Sequence, residues 1–168
     1  LLMLSKLFPD HPVLNRYNAA EVGEHETAEV GAVNGAFMLA RGAAWRDVGP
    51  LDETFWMYGE DLDWCARFAA AGWKVLYWPE VTVTHLKGGT TGHIRSPRVD
   101  WAFHRSMWIY YRKHLATGAG WALAPAVWVA VHGRMLVSIA SGLLRTRLRE
   151  RRSAGSERSS QPEQGSLR

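Results

Sequence analysis

Cysteine is almost missing. Cys65 stands alone among 168 residues, so an intramolecular disulfide cannot form and most cysteine-based metal sites are excluded. A reducing compartment is thereby permitted. No segment runs from a strand into a glycine-rich turn, and no Asp-x-Asp closes an apolar strand, so the usual nucleotide-binding signatures are missing. No signal-peptide pattern opens the sequence, which starts at Leu1 as a truncated chain would. Acidic excess is missing too: the net charge is +4, and seven arginines against three glutamates from Arg145 onward account for all of it. A basic tail on a neutral body suggests an anionic surface, phospholipid or nucleic acid. The body shows no nucleic-acid recognition fold, which sets nucleic acid aside as a partner.

Carboxylates, in contrast, are concentrated. Tyr58-Gly59-Glu60-Asp61-Leu62-Asp63-Trp64 places three within four residues, directly after a glycine. Leu62, Cys65, Phe68 and Ala69 recur at spacings of three and four, which predicts a helix from about Glu60 to Ala71, stopped by Gly72. Acidic residues suit the first turn of a helix, so a capping cluster accounts for them as well as chemistry does. On such a helix Asp63 lies roughly 200° round from Asp61 and reads as a cap or a loop tether. Cys65 falls on the apolar face and reads as a small buried hydrophobe.

The flanks are informative. Ala32 to Ala40 reads as a buried strand with Gly35 inside it, and Arg41 to Asp47 as a short helix ended by Gly49-Pro50. Asp52-Glu53 and Phe55-Trp56 form the loop leading to Glu60. Trp73 to Trp78 and Val81 to Leu86 read as strands broken at Pro79-Glu80. Val33-Asn34-Gly35-Ala36 through Ala40-Arg41, Val48-Gly49-Pro50-Leu51-Asp52-Glu53, Gly59-Glu60-Asp61-Leu62-Asp63, Ala71-Gly72-Trp73, Pro79-Glu80 and Val83-Thr84-His85 follow in order. This ordered set resembles the C-terminal half of the catalytic domain of family 2 glycosyltransferases, and rhamnosyltransferase-like members in particular, over roughly residues 4–115. The resemblance implies an α/β chain: a partial GT-A domain (the Rossmann-like nucleotide-diphospho-sugar transferase fold) followed by C-terminal helices. Nothing in the sequence resembles the N-terminal half of such enzymes, which supplies the nucleotide-binding strands.

By that resemblance Asp61 is the base that takes the acceptor's proton in an inverting transfer, and Glu60 orients the acceptor or holds the loop. Asn34, Gly35 and Ala36 are donor-site candidates, with a bulge or close helix packing as the alternative account of Gly35. Asp52, Trp56, His104 and Arg105 complete the implied substrate-binding set. His85 is the implied ligand for a divalent metal, Mg²⁺ or Mn²⁺, with a merely structural strand-end histidine as the alternative. The metal's carboxylate ligands, an Asp-x-Asp in the resembling enzymes, are not in this sequence.

Residues 1–29 read as a poorly periodic lead-in, with an exposed polar loop from Tyr17 to Glu29 in which His25 is solvated. Lys87 to Gly92 reads as a loop of small residues suited to a diphosphate, continued by His93 to Arg98. Val99 to Ala116 reads as a helix interleaving aromatic and basic groups, for which ordinary amphipathic packing is the competing account. Trp121 to Leu144 has the length of a membrane span, yet Pro125, His132, Gly133 and Arg134 interrupt it. An interfacial helix or a helical hairpin is therefore expected, with a true span as the alternative. Arg145 to Arg152 follows as a cationic anchor, and from Ser153 on the composition predicts disorder. The expected organisation is 1–116 as the acceptor-side half of the transferase domain, 117–152 as a membrane-associated segment and 153–168 as tail. The implied partners are a nucleotide-diphospho-sugar, a lipid-linked or polysaccharide acceptor and an anionic membrane at the cytoplasmic face of the plasma membrane. A non-enzymatic, membrane-associated remnant or scaffold is the other reading.

Overall fold

The computed structural model describes residues 22–86 and 96–159. The expected apolar anchors before residue 22, most of the loop after Leu86 and the last nine residues lie outside them. Helix α1 spans Gly42–Val48 and buries Ala44. Gly49, at φ 83°, ends it while donating its N–H to the Trp45 carbonyl. Helix α2 spans Glu60–Ala70, entered through Gly59 in a left-handed conformation, with Glu60, Asp61 and Asp63 in its first turn. Gly72 adopts φ 81° just past its end, and the Trp73 N–H returns to the Phe68 carbonyl, so the glycine stop forms as expected. Cys65 and Phe68 are buried, but Ala69 faces solvent, and the other covered side of α2 belongs to Asp63.

The strands are far shorter than the apolar runs suggested. Ala28–Glu29 (β1) pairs antiparallel with Leu76–Tyr77 (β2), and Val30 N–H to the Val75 carbonyl extends the contact by one bond. The strand expected over Ala32–Ala40 is replaced by turns. The side-chain oxygen of Asn34 accepts the Ala36 N–H at 2.9 Å, and this local bond turns the chain where a ladder would need it extended. Trp73–Trp78 contributes only its Leu76–Tyr77 portion, and Val81–Leu86 is exposed and irregular. Among the described residues the first run has only the two-residue Ala28–Glu29 strand to pair with and Val81–Leu86 has none, and an unpaired run cannot hold strand geometry.

Helix α3 spans Pro97–Tyr110, two residues earlier than predicted. Ser96 caps it by accepting the Val99 N–H, and Pro97 occupies its first turn. The chain then widens into a π-helical turn over Tyr111–Leu115. Helix α4 runs unbroken over Gly120–Ser159, so no hairpin forms within it. Pro125 sits in its second turn, where its ring leaves only the Trp121 carbonyl without a donor. Gly133 does not interrupt the helix, which the α3 segment supports from Gly120 to Ser138. The support is antiparallel: Tyr111 Oη donates to the Gly120 carbonyl near one end, Trp108 meets His132 edge-on, and Ser138 Oγ donates to Asp100 Oδ2 at 2.9 Å near the other. Tyr111, Ala116 and Ala124 form the buried seam, with Trp108 and Val127 against it.

Helix α3 is the middle layer. On its far side Arg105 donates to the Thr54 carbonyl at 2.7 Å and Ser106 Oγ to the Met57 carbonyl at 3.1 Å. The loop that enters α2 is thus fastened to α3, and α3 to α4.

Candidate functional site

An open cleft of about 350 Å³ lies at the N-terminus of α2, lined by Gly35, Ala36, Phe37, Met38, Leu51, Glu60, Asp61 and Trp64. Asp61 is held from two sides. Its Oδ2 accepts the Gly35 N–H at 2.9 Å, and its Oδ1 accepts the N–H of Leu62 at 2.8 Å. A methyl group at Gly35 would lie 3.3 Å from the Asp61 Cβ, closer than most packed contacts. Gly35 therefore permits a close approach, as a glycine in an apolar run suggests, and in this fold the approaching group is Asp61. Each carboxylate oxygen keeps a further lone pair for a hydroxyl donor. Beside it, Glu60 Oε2 is buried with no hydrogen-bond partner among the described residues. An acceptor left unpaired next to a cleft is costly unless a ligand supplies the donor.

The second aspartate of the motif has a different environment. Asp63 is fully buried, and its carboxylate receives Arg67 Nε at 2.9 Å, Lys113 Nζ at 2.8 Å and His114 Nε2 at 2.7 Å. Burial pushes its pKa up, but the hydrogen bonds from Lys113, His114 and Arg67 outweigh that and hold it below the ordinary value. Arg67 also donates to the Val48 and Pro50 carbonyls, and the Trp64 indole to the Gly49 carbonyl at 2.9 Å, so the end of α1 is tied to α2. Asp63 is the tether its position on the helix suggested. Its partners on the π-helical turn, Lys113 and His114, lie about fifty residues away, and no local pattern in the sequence connects them.

Five of the expected substrate-binding residues, Asn34, Asp52, Trp56, His104 and Arg105, do not line this cleft. Asp52 is committed to the chain: it accepts the Thr54 N–H and hydroxyl and pairs with Lys113 at 2.6 Å, and these bonds place its pKa far below the usual carboxylate range. Trp56 lies under the Arg98 guanidinium, 4.6 Å from its ring centre. His104 is buried in α3, its Nδ1 bonded to the Asp100 carbonyl and its Nε2 without a partner among the described residues. Arg105 holds the Thr54 carbonyl and lies over Trp101. Asn34 turns the loop beside the cleft, while Gly35 and Ala36 line it. The apolar walls, Phe37, Met38, Leu51 and Trp64, were not foreseen as site residues. His85 is exposed, and among the described residues no group of three or more His, Cys, Asp or Glu could hold a metal. One imidazole alone does not make a divalent-cation site.

A clamped carboxylate beside a second, unsatisfied one in a partly apolar cleft defines a site suited to taking a proton from a hydroxyl ligand. The family described as "Glycosyltransferase like family 2" matches residues 15–119, and the chain belongs to it. Membership implies the GT-A nucleotide-sugar transferase fold, of which the described residues show helices and the two-stranded sheet. Curated relatives from two strains of Mycobacterium tuberculosis, CDC 1551 / Oshkosh and ATCC 25618 / H37Rv, are both named N-acetylglucosaminyl-diphospho-decaprenol L-rhamnosyltransferase. Each is 31% identical to this chain over 154 residues, covering 88% of it and 48% of the relative. The chain thus spans about half the length of the curated relatives it matches. No solved structure matches it significantly.

Proposed function

We propose that this chain is the acceptor-side half of an inverting glycosyltransferase, with Asp61 as the base. The observation that carries the reading is the carboxylate of Asp61, fixed by the Gly35 N–H at the rim of the cleft. In the reaction, the acceptor hydroxyl oxygen bonds to the anomeric carbon of the donor as the bond from that carbon to the nucleotide diphosphate breaks. The hydroxyl proton passes to Asp61, and the diphosphate leaves with the bonding electrons. Glu60 accepts a hydrogen bond from the acceptor and orients it, which satisfies its buried Oε2. Gly35 and Ala36 border the donor.

The names of the relatives support rhamnose, or another hexose, as the transferred sugar and a lipid-linked acceptor in cell-envelope glycan synthesis. A polysaccharide acceptor fits the same chemistry. A lipid-linked acceptor puts the reaction at a membrane surface, and the cytoplasmic face is where nucleotide sugars are available. His85 is kept as one donor from this chain to a divalent ion whose other ligands lie elsewhere. Contacts to the donor's base and ribose belong to the part of the relatives that this chain does not span, so residues 1–168 alone should bind nucleotide sugar weakly or not at all. In full-length protein, Asp61→Asn should preserve donor binding and lower turnover by roughly two to four orders of magnitude, the scale of general-base loss. Unchanged turnover in Asp61→Asn would remove the base assignment.

A further inference from the structure

We infer that α4 lies flat in the surface of an anionic phospholipid bilayer, with α3 and the site layered above it. This rests on the membrane part of the reading above and on no step of the transfer chemistry. The stretch Gly120–Arg147 is long and apolar enough to cross a membrane, and very little of it is buried. At 1.5 Å per residue it is about 42 Å long, against roughly 30 Å of hydrocarbon. Length alone would permit a span. The neighbours do not.

Helix α3 lies along the same stretch, bonded near Gly120 at one end and at Ser138 towards the other. Its opposite side is fastened to the loop carrying Asp52, Thr54 and Met57. A membrane-crossing α4 would carry the exposed Arg98 and Arg112 of the α3 segment, and this polar loop, into hydrocarbon. Each charge placed there costs several kcal/mol. Only the face of α4 turned away from α3 is free to meet lipid.

That face has the composition for it. With 100° per residue, Ala124, Val131 and Ser138 point towards α3, and the opposite side carries Val129, Gly133, Leu136, Val137, Ala140 and Leu144. Val129, Leu136, Val137 and Leu144 are each about 60% exposed or more. Arg134 falls on one flank of this stripe. His132 falls on the other, stacked on Trp128 with its Nδ1 bonded to the Trp128 carbonyl. The two residues that make a span costly thus sit at the level where an interfacial helix meets water. Exposed Trp121 and Trp128 suit that depth. Arg145 and Arg147 are exposed, and Arg149, Arg151 and Arg152 continue the same helix, which gives the apolar stripe a cationic end and selects anionic lipid.

Flotation of the purified chain with phosphatidylglycerol-containing vesicles tests the surface. Val129→Asp with Val137→Asp should lower binding at least about tenfold, with helicity retained because both positions are exposed. Depth quenching tests the geometry. Cys65 is fully buried, so fluorophores report from single cysteines introduced at Ala122, Gly133 and Leu144, and the Gly133 position has open space for a side chain. One shared shallow depth for all three is expected. A deep Gly133 label between two shallow ones would overturn the in-plane geometry in favour of a span, while leaving the transferase reading intact. Absent vesicle binding, or binding indifferent to the two aspartates, would overturn the surface itself. A chain that instead dimerises, with the same substitutions dissolving the dimer, would assign the face to a second copy and also overturn the inference.

Discussion

Asp63→Asn removes one negative charge from the most buried polar group in the structure and leaves its shape nearly unchanged. Breaking a buried ion pair by deleting one partner costs about 3–5 kcal/mol when the other charge is stranded. Here the stranding is incomplete. Lys113 keeps Asp52 at 2.6 Å, and Arg67 keeps the carbonyls of Val48 and Pro50. Both cations are also partly in water, their side chains 34% and 21% exposed. A loss of about 2–3 kcal/mol follows, between the values for exposed and buried pairs. Urea unfolding reads it, since at a slope of about 1–3 kcal/mol per molar the midpoint should fall by roughly 1 M or more. The dependence on pH is the sharper test. A carboxylate whose folded pKa lies below its ordinary value of 3.8 contributes stability that is present above that value and is lost as pH falls through the folded pKa. The native chain should therefore lose stability progressively below about pH 4, and Asp63→Asn should lose less over the same window. Asp52, shifted in the same direction, supplies the dependence that remains. An unchanged midpoint at neutral pH, or an identical acid profile in the two proteins, would refute the assignment of Asp63 as the charged centre of the tether.

Two glycine substitutions separate backbone strain from crowding. Gly59→Ala and Gly72→Ala both force alanine into a left-handed conformation, at about 1 kcal/mol each, but only at Gly59 would the new methyl meet Phe55 and Ser106, at 3.3 and 3.4 Å. Gly59→Ala should thus lower the thermal midpoint more than Gly72→Ala, and equal shifts would count against close packing of the α2 entrance on α3. Trp64→Phe keeps the aromatic wall of the cleft but leaves the Gly49 carbonyl without its indole donor. It should cost about 1 kcal/mol in urea unfolding, and no loss would mean that water replaces the indole without penalty.

Local signals were legible and long-range pairing was not. The register of Cys65 and Phe68, the acidic first turn and the glycine after it mark α2, because each acts within a turn or two of helix. Gly49-Pro50 ends α1 for the same reason. The apolar run over Ala32–Ala40 misleads because an apolar run specifies burial without specifying a partner, and here the Asn34 side chain bends the chain instead. Asp52, Trp56, His104 and Arg105 look like surface chemistry when only their residue types are read. In the fold each meets a group distant in the chain or holds a local turn, and that can be seen only with the fold in hand.

The spacing of Asp61 and Asp63 explains why one motif yields two kinds of carboxylate. Two residues along a helix amount to about 200° of rotation, so the pair cannot serve the same surface. Asp61 turns to the cleft and the Gly35 loop, Asp63 to Arg67 of α2 and to Lys113 and His114 of the π-helical turn. That turn matters geometrically. On it the successive residues Lys113 and His114 both reach the same oxygen of Asp63. The first turn of α2 is consequently clamped on both sides, by a neutral backbone amide where the carboxylate stays open to ligand and by full charges where it does not. The Asp63 cluster can therefore fix the direction of Asp61 without itself entering the cleft, because the two side chains share the same rigid turn.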